Sequence, residues 1–102
     1  MKQVIVIYGM PEDPAAFDRH YAEVHIPLTR KMPLLKGFEV SRGPVAASAG
    51  APVHLVAILS YASGEDLEVS LASPEGQAAV ADVGNFATGG ATLLTIDSDS
   101  VL

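Results

Sequence analysis

The chain predicts an α+β fold of the ferredoxin-like kind, β-α-β-β-α-β, with a four-stranded antiparallel sheet. Three observations predict it. Strand-like runs at Val4–Tyr8, Phe38–Arg42, Val53–Tyr61 and Ala91–Ile96 are separated by two stretches of helical patterning. At about 100° per residue, Phe17, Tyr21, Val24 and Leu28 fall within a stripe about 60° wide, a helix face aimed at a core. VIVIY and HLVAIL are apolar on both alternating faces, yet two helices cover only one face of a four-stranded sheet. The chain has no spare element for the other face. These strands therefore predict a homodimer packed through its sheets.

Each element has a local cause. The first strand closes at Gly9-Met10-Pro11, and Asp13-Pro14 supplies an N-cap followed by proline at the first helical position. That helix reaches at least His25; Pro27 predicts a kink or a fresh turn, ending before Pro33. Gly37 releases the chain into the second strand. GPVAASAGAP, residues 43–52, is a loop of small residues joining two antiparallel strands. Ser63 and Asp66 have the spacing of a capping box, with Leu67 and Leu71 as the apolar edge of the following helix. Ser73-Pro74 repeats the cap-then-proline signal for a further helix carrying Ala78, Val80 and Ala81. Gly84-Asn85-Phe86 loosens it, Gly89-Gly90 turns the chain, and an acidic, exposed tail follows from Asp97 to Ser100.

Composition narrows the function. A 102-residue chain has room for one domain, spanning 1–102, and 49% hydrophobic residues with a mean hydropathy of +0.32 exclude disorder. The net charge is −6, and three of the six Lys and Arg residues (Arg30, Lys31, Lys36) sit at or just past the end of the first helix, where they complement its dipole. Nucleic acid is not an expected partner. No apolar run has the length of a membrane span, and the N-terminus reads as a strand rather than a leader. With no cysteine, disulfides, thiolate nucleophiles and cysteine-ligated metals are excluded, and the expected location is cytoplasmic.

Three histidines remain: His20, His25 and His54. Five residues along a regular helix rotate by about 140°, so His20 and His25 should not converge on one ion. No H-E-x-x-H spacing exists, and no protein-built metal site is expected; a haem held by one histidine stays open. Tyr21 and His25 are four apart and therefore neighbours. His25 is either a general acid or base with Tyr21 orienting it or binding a substrate oxygen, or it caps the broken helix end while Tyr21 packs. His20, beyond the stripe, is expected to be exposed, and His54 and Arg42 to anchor loops. Asn85 suits a helix C-cap. G-x-S-x-G, P-loop and G-x-G-x-x-G patterns are absent.

The stretch FDRHYAEVHIPL strongly resembles the EthD family, named from ethyl tert-butyl ether degradation. The shared pattern is an aromatic, an aromatic or histidine pair, then H-x-P-L, here Phe17, His20-Tyr21 and His25-Ile26-Pro27-Leu28. Similarity extends to IVIYGMPEDPAAF, to KGFEVSRG and to LASPEGQAAVADVGNFATGG, nearly the whole chain; the glycine-rich 43–52 loop is not part of it. The resemblance implies a dimeric α+β barrel with a pocket between helices and sheet. It places His25 near that pocket. His25 and its neighbour Tyr21 are the catalytic candidates, and Tyr8, Phe17, Phe38, Asn85 and Phe86 are the substrate-binding candidates. The wider group holds cofactor-free monooxygenases, lactone isomerases, polyketide cyclases and haem enzymes. The expectation is a small catabolic enzyme moving a proton on an apolar, oxygen-bearing molecule, with no cofactor. The alternative is a non-catalytic hydrophobic-ligand carrier or an accessory protein of a degradation pathway.

Overall fold

The computed structural model describes residues 1–102. Its elements run β1 (Lys2–Gly9), α1 (Pro14–His20), a π-helical segment (Tyr21–His25), α2 (Ile26–Arg30), β2 (Gly37–Val40), β3 (Val53–Tyr61), α3 (Gly64–Ala72), α4 (Pro74–Asp82), a 3-10 turn (Val83–Asn85) and β4 (Ala91–Asp97). The four strands form one sheet in the order β2-β3-β1-β4, every pair antiparallel. This is the ferredoxin-like plan. No helix is long and apolar enough to cross a membrane.

The helix starts are where the caps put them. Asp13, Ser63 and Ser73 accept the backbone N–H groups of Ala16, Asp66 and Gly76 respectively, and Pro14 and Pro74 occupy the first turns. Several strand ends differ from expectation: β1 is longer at both ends, from Lys2 to Gly9, and β2 starts one residue earlier, at Gly37. β2 stops at Val40, although Ser41 still exchanges bonds with Val56 through its backbone N–H and its hydroxyl. β4 extends to Asp97, whose carboxylate pairs with Lys2 at 3.1 Å.

Only one sheet face is covered. Val4, Val6 and Tyr8 of β1, with Ala57 and Tyr61 of β3, pack against Phe17, Tyr21, Leu67 and Phe86. The molecule is a slab of 36 × 35 × 18 Å, the thickness of one sheet and one helical layer. On the opposite face, Ile5 stands between Ile58 and Leu94 across three strands, and Ile7 is paired with Val56. No element of the chain lies over them.

The second helical pair turns differently from the expected stripe. Ala78, Val80 and Ala81 are exposed, while Gly76, Ala79 and Asp82 are buried. Gly76 sets this phase. A Cβ there would collide with the carbonyl of Ser70, so the close approach of α4 to the end of α3 is open only to glycine. Gly76, Ala79 and Asp82 follow at steps of three, each turning the buried side by about 60°, so the inward side of α4 passes from α3 at Gly76 to the first helix at Asp82. In α3 Leu67 is buried as expected, but Leu71 is exposed at the rim of the interior cavity.

Candidate active site

The first helix is not regular, and the irregularity builds the site. Pro27 has no N–H, and its ring would strike the carbonyl four residues earlier in an α-helix. The helix widens instead of breaking. Over Tyr21–His25 it is π-helical, with the Ile26 N–H bonded to the Tyr21 carbonyl. Widening shifts the inward face, so Phe17, Tyr21, His25 and Thr29 are buried, while Val24 is exposed and Leu28 only half-buried. It also makes His20 and His25, five apart, neighbours on one side. The regular-helix expectation that they cannot converge is corrected, as is the expectation that His20 is simply exposed.

They converge on Asp82. His25 Nδ1 lies 3.0 Å from Asp82 Oδ2, and His20 Nε2 lies 2.8 Å from Asp82 Oδ1. Asn85 Nδ2 donates to the same Oδ1 at 3.0 Å, so Asn85 serves this carboxylate. Burial would raise the pKa of Asp82, but the hydrogen bonds from Asn85, His20 and His25 outweigh it and hold the carboxyl below the usual range. As an anion it can only accept, so both imidazoles must donate to it. His25 is thereby fixed with the proton on Nδ1 and a bare Nε2. No buried side-chain nitrogen or oxygen lacks a hydrogen-bond partner, so the unpartnered Nε2 must touch open space.

That space is an apolar cavity of about 120 Å³ between sheet and helices. His25, Tyr8, Tyr21 and Thr29 share its wall with Phe38 and aliphatic side chains, and Leu71, Val80 and Leu93 form its exposed rim. The Tyr8 and Tyr21 rings meet edge to face at 5.7 Å. Burial pushes Tyr8 up to about 12 and Tyr21 higher still, each phenol also feeling the other. Burial lowers His25 below 6.5, the Asp82 contacts opposing and His20 adding to the effect. Near neutral pH the cavity therefore holds one neutral imidazole with a free lone pair and two phenols that keep their protons. Chemically this is one base and a coupled pair of phenols on the wall of an apolar volume.

The expected residues divide accordingly. Tyr8, Tyr21, His25 and Phe38 line the cavity. Phe17, Asn85 and Phe86 do not; they border an outer groove of about 260 Å³ beside His20. Phe17 and Phe86 support the wall from behind, with Phe17 stacked parallel on Tyr21 and Phe86 4.8 Å from the His25 ring. His54 is turned onto the helix side by a bulge opposite Tyr8 and Gly9 and bonds Asp18 at 2.8 Å, the anchoring role its position suggested. No cluster of three or more His, Cys, Asp or Glu is disposed to hold a metal ion. His25, with Nδ1 held by a carboxylate, has the form of a haem ligand. The cavity is much smaller than a haem macrocycle, so the residues present do not fit that group.

Fold and site together define a ferredoxin-like α+β protein with a buried histidine–aspartate pair whose histidine lines an interior cavity. Residues 10–90 match the EthD domain, and the chain belongs to the EthD family. An uncharacterised 11.0 kDa protein from the thcB–thcC intergenic region of Rhodococcus erythropolis is 40% identical over 102 residues, covering 100% of this chain and 99% of the relative. The crystal structure of an EthD family protein from Bacillus halodurans C-125 matches with a TM-score of 0.88 at 33% identity, over 97% of this chain and 99% of that one. SnoaB, a cofactor-independent oxygenase from Streptomyces nogalater, shares the fold with a TM-score of 0.66 at 14% identity, over 99% of this chain and 94% of that one.

Proposed function

We propose that this protein is an enzyme that removes a proton beside an oxygen on a small, apolar molecule. His25 Nε2 takes the proton from carbon. The C–H electron pair moves toward the substrate oxygen, where Tyr21 and Tyr8 donate hydrogen bonds to the growing negative charge. Asp82 holds the imidazole in the required tautomer and stabilises the imidazolium formed. The observation that carries this reading is the bare Nε2 of His25, its other nitrogen held by a buried carboxylate, in a cavity whose other polar groups include two protonated phenols. Such a step begins an isomerisation or cyclisation, or an oxygenation in which dioxygen is the co-reactant, and needs no bound cofactor.

Size limits the substrate. A cavity of about 150 Å³ takes up one benzene, so about 120 Å³ suits a single ring or a compact branched body. Anything larger extends past Leu71, Val80 and Leu93. We also propose that the working form is a homodimer closed through the apolar face of Ile5, Ile7, Val56, Ile58 and Leu94.

Native mass spectrometry of protein purified without added ligand, followed by turnover assays on the co-purified compound, tests the reading. His25→Ala should abolish conversion with the oligomer intact, and Tyr21→Phe should slow it by about 10- to 100-fold. Binding without conversion by the unaltered protein would make it a carrier. Full activity of His25→Ala would refute the assignment.

A further inference from the structure

The site has a second imidazole that touches no part of the cavity. His20 bonds the far oxygen of Asp82 at 2.8 Å, so one buried carboxylate joins an interior histidine to a half-exposed one. Its ring lies against Phe86 at 5.4 Å and 29°, and the outer groove beyond is lined by Glu12, Asp13, Asn85 and Thr88. The titratable groups around it are Glu12 and Asp13 from the loop before α1 and Asp82 from α4; Asn85 adds a neutral donor. Around His25 they are Asp82, His20, Tyr21 and Tyr8. A structural filler would not need to ionise, and asparagine or glutamine could donate to Asp82 as well. An imidazole differs in that it can carry a positive charge as well as donate.

We propose that His20 is a positioning residue that tunes the basicity of His25 through their shared carboxylate. This rests on the reading of His25 as the base. With His20 neutral, the charge of Asp82 acts mainly on His25 and favours its imidazolium, the form present once the substrate proton has been taken. When His20 takes a proton from the groove, its positive charge compensates Asp82, and the imidazolium at His25 loses support. The cavity thereby senses solvent acidity through a group that never meets the substrate. The coupling is reciprocal: protonation of His25 must equally disfavour protonation of His20.

Heteronuclear NMR titration of the imidazole rings tests this without a substrate. In the unaltered protein the His25 signals should bend twice, the second inflection coinciding with the titration of His20. In His20→Gln, which keeps a neutral donor to Asp82 but has no charge to give, the curve should become a single step displaced upward by about one pH unit. Should the variant fail to fold, the two-inflection curve of the unaltered protein still decides. A single-step His25 curve in the unaltered protein, or one that His20→Gln leaves in place, overturns the inference. Neither result bears on whether His25→Ala loses turnover, so the coupling and the catalytic reading fail separately.

Discussion

Asp82 is the residue on which the site's electrostatics depend. It is 5% exposed and accepts from His20, His25 and Asn85, so its charge is supported by three donors rather than by solvent. Its pKa is held below 3.8, so the unfolded chain binds a proton before the folded one does. The stability it supplies is therefore present above about pH 3.8 and is lost as pH falls through the lowered folded value. His25 has the same sign in a higher window. Its folded pKa lies below 6.5, so its contribution is intact above about 6.5 and is lost as pH falls through the lowered value. Asp82→Asn should cost about 1–3 kcal/mol at pH 7. In urea titrations the gap between variant and parent should begin to narrow below about pH 3.8, where the unfolded parent takes up a proton that the folded carboxyl still resists, and close once pH falls past the lowered folded value. A gap independent of pH would mean that packing, not charge, explains the loss.

At the scale of elements, two departures from regularity place those side chains. The π-helical segment before Pro27 brings positions 20 and 25 to one side, and Gly76 lets α4 press against the end of α3 so that Asp82 points inward. In an unconstrained helix Gly→Ala stabilises by about 0.5–1 kcal/mol. Here the added methyl meets the backbone of Ser70, which cannot swing away like a flexible side chain. Gly76→Ala should therefore destabilise by about 1–3 kcal/mol, read as a lowered urea midpoint. Since α4 carries Asp82, the same change should also disturb the ring signals of His20 and His25. A stabilised variant would show that the two helices are not in close contact.

The slab-like whole molecule leaves one sheet face bare. Ile5, Ile58 and Leu94 form a row across three strands, an area that a second copy can bury isologously. Ile5→Lys should shift the protein from dimer to monomer in light scattering, because a charge at the centre of that row cannot be desolvated cheaply. The cavity opens on the opposite side of the sheet, so His25 should keep its titration in a monomer that remains folded. An unchanged dimer would place the interface elsewhere.

The sequence by itself determined the elements, the two-faced apolar strands and the placing of His25 beside Tyr21 on the inner side of the first helix. Asp13-Pro14, Ser63 and Ser73-Pro74 act over three or four residues, and the alternation of a strand is local, so both are visible in the order of side chains. Tyr21 beside His25 was equally legible, being one helical turn away. Asp82 was not. It stands 57 residues from His25, and nothing around it distinguishes it from any other acid at the end of a helix. Pro27 signalled that the helix must adjust, but not that it would widen rather than break, and on that choice depends whether His20 and His25 diverge or meet. Val24 and Leu28 belonged to the apolar stripe of a regular helix and lost the interior to His25 and Thr29 for the same reason. Which carboxylate a buried imidazole finds is settled when two helices pack across a sheet, and only the tertiary structure decided it.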